Sequence, residues 1–237
     1  MLGRRRRQLA PVGDAEGAHL YAYNMAVGFL AYVTGCAIFW LIHLSGTTIK
    51  GNLLFADNYV CREPTGWALE MWSVTVAQIV TFRRTLFTGG IAMPRLTCAE
   101  VQVEGCVIGP SGPGSTRQNY AIWASDCEIA RRLHFGVARD GDRLTRNLIV
   151  GQVDLSQARI GERLWLRSAD IFLAHGSKRA REPVAVDLQR VRIEGDLSLA
   201  PYGHTLLERR ETDEEPARIE GCVAVDQAEI GATCWCT

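Results

Sequence analysis

The feature that most constrains this chain is a repeat in the spacing of its apolar residues. In segment 147–171 these residues follow one another at intervals of 4, 2, 3 and 2 positions, and the same four intervals then recur. The unit is therefore eleven residues long and reads I-x-G-x-L-x-L-x-x-A-x. Segment 96–108 fits the frame only after a slip of one residue. Further copies, some with another residue in place of the glycine, occupy segments 49–60, 74–87, 122–135, 193–199 and 219–230.

The order of residues within the unit predicts short strands joined by corners. Every second residue of A-x-I-x-G-x-L-x-L is apolar, which is the pattern of a strand with one face inward. The x-x step interrupts the alternation and allows the chain to turn, and the glycine position suits a bend where neighbouring backbone comes close. A helix is excluded, because residues at i and i+2 lie on nearly opposite sides of it. One unit cannot enclose a core, so we predict an all-β solenoid of stacked units.

Insertions interrupt the repeat at two kinds of position. Breaks of the same kind are four units apart, which predicts two units, or about 22 residues, in each coil. The insertions would then leave the solenoid on chosen sides of alternate coils, and loops on one face often form the binding surface of repeat arrays. The alternative is that they are neutral, since surface loops tolerate insertion. The frame breaks after Val60, Ile108 and Ile171, resuming at Leu69, Ile122 and Val186, and it breaks in the second way after Phe135 and Leu199.

Segment 25–44 contains no Lys, Arg, Asp or Glu and permits two interpretations. Its length is that of a membrane-spanning helix, and the basic run Arg4–Arg7 lies upstream like a cytoplasmic anchor. The eleven-residue frame nevertheless continues without a slip from Val27 to Gly51. The frame favours a coil of the solenoid whose outer surface is covered. The outward positions are unusually apolar: Leu30, Tyr32, Phe39 and Leu41.

Two domain assignments follow from the extent of the repeat. Residues 1–24 are predicted to be a basic N-terminal segment and a short cap over the first coil, and residues 25–237 a single β-solenoid domain. The frame still holds over 232–236, just before Thr237. An uncapped edge of this kind invites pairing with another chain. We therefore expect either a truncated array or an edge that binds a protein partner or a second copy.

Composition excludes several classes of function. The 26 basic residues balance 26 acidic ones, so the chain lacks the cationic excess of a nucleic-acid-binding protein. An apolar fraction of 47% also excludes a disordered chain. No metalloprotease, hydrolase, phosphate-loop or dinucleotide motif is present. We therefore predict no catalytic residue, no cofactor-binding residue and no metal ligand. The sequence favours a binding protein over an enzyme.

The eight cysteines are too few for a disulfide scaffold of this length. Cys36, Cys106 and Cys127 occupy the small inward position of the unit, while Cys234 and Cys236 occupy its two leucine positions. Such residues are predicted to be small buried hydrophobes. This placement fits a reducing compartment, which predicts a cytoplasmic protein or one on the cytoplasmic side of a membrane. The remaining predictions place Cys61 and Cys98 at or near breaks of the frame and Cys222 on an outward position.

Charged residues cluster in the insertions. Runs of mixed sign such as these usually form solvated loops. A functional interpretation makes Lys178, Arg179 and Arg181 a patch that faces an anion or a membrane. These three residues are the candidate interaction patch of the sequence.

The strings A-R-I-G-E-R-L-W-L-R-S-A-D-I and V-R-I-E-G-D-L-S-L resemble a bacterial group of pentapeptide-repeat-like β-solenoid proteins. The resemblance is good over 120–236 and looser over 25–108. It implies a right-handed β-helix, and right-handed crossovers are also the general preference. Many members are uncharacterised and some are labelled membrane-associated oxidoreductases, but no catalytic residue accompanies the motif. This chain departs from the motif at Gln78, Arg131 and Glu162, which occupy the glycine position.

Three functions are compatible with these features. The first is a non-enzymatic repeat scaffold that presents loops for binding another macromolecule. The second is a membrane-associated protein anchored through 25–44. The third is an oxidoreductase that uses Cys234 and Cys236, as the family label suggests. Repeats throughout the chain and the lack of a catalytic motif favour the first.

Overall fold

The N-terminal apolar segment forms strands in the computed structural model. Segment 25–44 contains short strands because its inward side chains alternate, and it forms part of the stack of coils. The prediction of a coil is confirmed, and the interpretation as a spanning helix is wrong. Among the residues described, no helical stretch has the length and apolarity that crossing a bilayer requires. The structure describes residues 20–61, 66–110, 120–173, 184–199, 217–232 and 234–235, all of them in strands or connections.

The strands form three parallel sheets, with one further hairpin. Sheet 1 contains β1 (Leu20–Tyr21), β5 (Ile42–His43), β9 (Trp67–Glu70), β12 (Gly90–Ala92), β15 (Tyr120–Trp123), β20 (Gln152–Asp154), β24 (Val184–Asp187) and β28 (Cys222–Ala224). Sheet 3 contains β4 (Ala37–Ile38), β8 (Tyr59–Val60), β11 (Leu86–Phe87), β14 (Val107–Ile108), β19 (Asn147–Val150), β23 (Ala169–Phe172) and β27 (Arg218–Glu220). The hairpin is β17 (Ala138–Asp140) and β18 (Arg143–Thr145).

Sheet 2 covers two sides of each coil. Three of its strands run across both sides without a break: β10 (Thr75–Arg83), β13 (Thr97–Glu104) and β16 (Glu128–Gly136). In the other coils the first side is β2 (Ala26–Val27), β6 (Thr48–Ile49), β21 (Arg159–Ile160), β25 (Arg192–Ile193) or β29 (Glu229–Ile230). The second side is β3 (Ala31–Thr34), β7 (Leu53–Ala56), β22 (Arg163–Trp165), β26 (Asp196–Ser198) or β30 (Cys234–Trp235).

Successive coils stack in parallel register. Each coil passes through sheet 1, the two sides of sheet 2 and then sheet 3 before it returns to sheet 1. Where no insertion intervenes, paired residues are one predicted coil apart, as in the pairing of Ala37 with Tyr59, 22 positions later. Insertions lengthen a coil without breaking the register, because Leu164 still pairs with Leu197. Alternation within each side therefore keeps the same face inward in every coil.

The core is the set of inward rows that the repeat predicts. In one row Phe55, Phe82 and Phe135 are fully buried, and the rings of Phe55 and Phe82 stack with their centroids 5.6 Å apart. Burial of such rows supplies the main stabilising term, at about 25 cal/mol for each Å² of apolar surface removed from water. A second row, on sheet 1, consists of Ile42, Leu69, Ile91, Ile122, Val153 and Val186.

Glycine matters where sheet 2 bends between its two sides. A Cβ atom on Gly195 would collide with the carbonyl oxygen of Glu162 in the preceding coil, which confirms the predicted close approach. In the coil where Glu162 occupies the glycine position, the close approach falls one residue earlier. A Cβ atom on Gly161 would collide with the carbonyl oxygen of Ala130 in the preceding coil. At Gln78 and Arg131 no such glycine is needed, because β10 and β16 run through the bend as continuous strands.

Replacement of Gly195 by alanine is expected to lower the free energy of unfolding by about 1–3 kcal/mol, the usual range for overpacking. The collision is with backbone, which cannot move aside as a flexible side chain does. Gly28 is the matched control, since it occupies the same bend in the first described coil and has no atom within 4 Å of its Cβ position. Urea-induced unfolding of Gly195→Ala and Gly28→Ala measures the difference. Equal stability of the two variants would contradict the close approach.

The predicted one-residue slip in 96–108 is present and has a polar consequence. The register between β13 and both of its neighbours shifts between Cys98 and Glu100. The shift brings Glu100 into a buried position, where only 1% of its side chain is exposed. Arg132 of the next coil lies 2.7 Å from its carboxylate, and the Gln102 amide donates a hydrogen bond to it at 2.5 Å. A charge at this depth is tolerated because it is paired.

Candidate functional site

The insertions leave the stack at two corners, as their spacing predicts. The connections β8–β9, β14–β15 and β23–β24 all run from sheet 3 to sheet 1. The connections that follow β16 and β26 run from sheet 2 to sheet 3. The first of these contains the hairpin β17–β18, which lies against the stack, since Arg83 donates a hydrogen bond to the carbonyl oxygen of Arg139 at 3.3 Å. The predicted patch Lys178, Arg179 and Arg181 lies in the β23–β24 connection, outside the described residues.

Beside the corner with three insertions, four aromatic side chains cluster on the outside of the stack, three of them on strands of sheet 1 and the fourth, Trp72, in the turn that follows β9. We call Trp67, Trp72, Tyr120 and Trp123 the aromatic cluster. Trp67 stacks on Trp123 at 5.8 Å and on Tyr120 at 6.2 Å, and Trp72 meets Trp123 edge to face at 4.9 Å. All four side chains are half-buried. Pairs of this kind contribute about 0.5–1.5 kcal/mol beyond area burial.

A glycine in the intervening coil allows the cluster to form. Trp67 and Tyr120 belong to β9 and β15, and β12 lies between these strands. Gly90 of β12 lies against the Trp67 ring, and a Cβ atom there would lie 2.8 Å from that ring and 2.7 Å from the Tyr120 carbonyl oxygen. The lack of a side chain at Gly90 therefore leaves room for the Trp67 ring to reach Tyr120 and stack on it. Sequence analysis missed this cluster, although all four residues occupy outward positions close to breaks in the frame.

Carboxylates continue the same outward row beyond the cluster. Trp123 pairs with Asp154 in the next coil, and Asp154 pairs with Asp187 in the coil after that. Each carboxylate also accepts a local backbone hydrogen bond, at 2.8 Å from the N–H of Ser156 and at 3.0 Å from that of Gln189. The row therefore contains an indole followed by two carboxyl groups at the spacing of neighbouring strands, about 4.8 Å. Of the two, Asp154 is buried and Asp187 is half-buried.

The surroundings raise the pKa of Asp154 in this row and that of Tyr120 beside it. Burial raises the pKa of Tyr120 to about 12, and the negative charge of Asp154 acts in the same direction. Burial likewise raises the pKa of the Asp154 carboxyl above its ordinary value, with a further contribution from Asp187. The hydrogen bonds from Ser156 and from the Tyr120 hydroxyl oppose that rise. The folded protein therefore holds the Asp154 proton more tightly than the unfolded chain does.

The raised pKa of Asp154 predicts how the stability of the folded protein depends on pH. Because the pKa is higher in the folded than in the unfolded chain, the stabilising contribution of Asp154 is complete below about pH 4 and is lost as the pH rises through the folded-state pKa. Asp154→Asn removes the buried charge, so its Tm should exceed that of the wild type near pH 8 and match it near pH 4. Thermal unfolding at both pH values measures this. Asp126→Asn, on the exposed corner, is the control, and a pH-independent difference for Asp154→Asn would contradict the prediction.

A polar groove lies at the corner between sheets 1 and 2, with a volume of about 630 Å³. Its outward row balances the two signs, since two basic residues lie between two acidic ones in successive coils: Glu128, Arg159, Arg192 and Glu229. The backbone of this corner is left-handed at polar residues rather than at glycine, with φ of 55–61°. These residues are Asp126, Gln157, Arg190 and Gln227. The groove therefore has no excess of either charge.

Three of the cysteines are unreactive core residues. Cys98, Cys106 and Cys127 are buried, and burial raises the pKa of Cys106 and of Cys127 to about 12 and that of Cys98 further. The inward prediction for Cys106 and Cys127 is thus confirmed. A thiol with so high a pKa has almost no thiolate to react near neutral pH.

The cysteines of the outer coils differ from those of the core. Cys36 is half-buried, and Cys222 is exposed as predicted. Cys234 pairs with Leu197 in the predicted row, but it is exposed rather than buried, since no further described coil covers it. Cys236 lies outside the described residues, so a redox role for Cys234 and Cys236 stays a prediction, as does self-association at this edge. No group of three His, Cys, Asp or Glu side chains able to hold a metal ion occurs within the ranges that the structure describes.

Comparison with known proteins leaves the function open. No family model matches the chain, and no curated protein matches it. One solved structure that is similar is that of HetL, a pentapeptide repeat protein involved in heterocyst differentiation regulation from the cyanobacterium Nostoc sp. strain PCC 7120. The two chains are 12% identical, 89% of each is covered, and the TM-score is 0.22. The parallel strand pairing defines the fold of this chain independently of that likeness.

Proposed function

We propose that this chain is a non-enzymatic repeat scaffold that binds a protein partner on the outward face of sheet 1. The observation that carries the proposal is that three insertions leave at one corner, beside the aromatic cluster. Grouped loops form the binding face of many repeat arrays. Within this proposal the coil is a right-handed β-helix built from two eleven-residue units, a hand that parallel crossover connections strongly favour.

The chemistry of the face supports a partner segment that carries Lys or Arg. Trp and Tyr dominate the energetics of protein interfaces, since they supply rigid apolar area. One outward row of sheet 1 contains Glu70, Ala92, Trp123, Asp154 and Asp187 in successive coils. An extended basic segment lying along this row meets the half-buried carboxylates of Glu70 on one side of the indole and Asp187 on the other, whereas Asp154 is buried. Cation–π attraction to Trp123 and charge attraction to the carboxylates then act together.

Site-specific photo-cross-linking in the native host tests the proposal. A photoreactive phenylalanine at Trp72 or Asp187 should give an adduct of the same mass, whereas the same residue at Leu148, outward on sheet 3, should give none. Trp123→Ala should lower the yield at Asp187 at least about tenfold, the usual effect of losing an interface residue worth 1.4 kcal/mol or more. Equal adducts from both faces, or adducts from Leu148 alone, would refute the binding face.

A further inference from the structure

Exposed apolar side chains concentrate at the N-terminal end of the described stack, with eight in its first coil and Tyr59 in the second. Of the thirteen large hydrophobic side chains exposed in the described residues, nine lie between positions 21 and 59. The most exposed is Phe29, at 79%. Single exposed hydrophobics need no explanation, but a contiguous group of this size marks an interaction surface. We call the nine the aromatic girdle: Tyr21, Tyr23, Met25, Phe29, Leu30, Tyr32, Phe39, Trp40 and Tyr59.

The girdle surrounds the coil on every side. Tyr21 belongs to β1 of sheet 1, and Tyr32 to β3 of sheet 2. Phe29 lies at the bend between β2 and β3. Phe39 follows β4 of sheet 3, and its ring meets that of Tyr59 in the next coil of that sheet at 6.2 Å. The apolar surface is therefore a band around the stack and not a patch on one face.

The part of the band that lies in the first described coil is free of formal charge. The sequence has no Asp, Glu, Lys or Arg between Gly17 and Ile49. The titratable imidazole inside the band, His43, lies 2.9 Å from Glu70 of the following coil and stacks on Tyr23 at 5.9 Å. Outward positions of later coils are charged instead, as at Arg163 and Asp196, whose side chains are 3.6 Å apart.

We infer that the aromatic girdle inserts into the interface of a lipid bilayer, so that the stack of coils stands on the membrane by this end. Tyr and Trp side chains favour the headgroup level of a membrane, because one part of each is apolar and another can hydrogen-bond. A protein partner on one sheet would cover one side of the band only. A second copy stacked end to end would cover strand edges and leave the outward side chains exposed. A medium that surrounds the coil covers all nine.

Vesicle flotation of the full chain tests this inference independently of the proposed partner face. Because the girdle has no charge, the protein should float with neutral phosphatidylcholine vesicles, and high salt should not release it. The fluorescence of the bound protein should shift to shorter wavelength as Trp40 enters the interface. Absence of flotation with neutral vesicles overturns the inference. Flotation with phosphatidylglycerol vesicles at low salt alone also overturns it, since that result assigns binding to the basic run Arg4–Arg7.

Matched variants separate the girdle from a general apolar effect. The triple variant Phe29→Ser, Tyr32→Ser, Phe39→Ser should bind neutral vesicles at least about a hundredfold more weakly, given the apolar area that three aromatic side chains bury. The double variant Leu148→Ser, Phe172→Ser, outward on sheet 3 and 38% and 36% exposed, should bind like the wild type. Circular dichroism verifies that both variants are folded. Equal binding by the two variants, or loss of self-association without loss of vesicle binding in the triple variant, overturns the inference.

Discussion

Asn147→Leu is expected to lower the free energy of unfolding by about 3–5 kcal/mol, because a buried side chain with three main-chain hydrogen bonds is lost. Asn147 is 0% exposed and lies at the start of β19. Its Oδ1 accepts a hydrogen bond from the backbone N–H of Cys106 at 2.9 Å. Its Nδ2 donates hydrogen bonds to the carbonyl oxygens of Val103 at 3.0 Å and Gly136 at 2.8 Å. Leucine has a similar volume but leaves these buried groups without their partner.

The comparison with Asn58→Leu makes this prediction specific. Asn58 occupies the same corner in an outer coil, where it accepts the N–H of Cys36 at 3.0 Å and donates to Val33 at 2.8 Å. These two bonds are only partly buried, so water can replace them at lower cost. Urea-induced unfolding followed by circular dichroism should place Asn147→Leu well below Asn58→Leu in stability. A loss under about 1 kcal/mol for Asn147→Leu would show that the corner does not need the amide.

Phe82→Ala is expected to cost about 3–5 kcal/mol, the usual range for truncating a buried Phe. The ring is fully buried between coils, 5.6 Å from the ring of Phe55 and 5.9 Å from that of Phe87. Coils above and below are fixed by their strand pairing, so they cannot collapse into the cavity. Phe172→Ala, on the outside of sheet 3, should change stability by under about 0.5 kcal/mol. Similar losses for both variants in urea-induced unfolding would contradict the assignment of the inward row.

The same arrangement that fixes the core positions the candidate site. Insertions between sheet 3 and sheet 1 change the length of a coil but leave the strand register intact: Ala92 pairs with Trp123 across the β14–β15 connection, and Asp154 pairs with Asp187 across the β23–β24 connection. The core rows therefore act as a rigid support, while the corner beside the aromatic cluster accepts insertions of different length. Loops on a fixed support are a common way to vary binding without changing the fold.

Sequence determined which residues face the core and where the coils turn. In the strands that contain Ile149, Val153 and Leu164, apolar and polar residues alternate. Only one face of each strand can therefore turn inward, because side chains on a strand alternate with a period of two. The spacing of the insertions along the repeat likewise predicted a coil of about 22 residues and the corners at which the loops leave. Continuity of the frame from Val27 to Gly51 decided between strand and helix in the segment that hydropathy alone assigns to a membrane.

Tertiary structure alone decided the features that join residues of different coils. The stacking of Trp67 on Tyr120 depends on Gly90 in the coil between them, and the burial of Glu100 depends on Arg132 in the next coil. Local alternation specifies which way a side chain points, whereas the residue that it meets in a neighbouring coil depends on every insertion and slip between the two positions. Contacts across coils, and the surfaces that they build, therefore follow only once the coils are stacked in register.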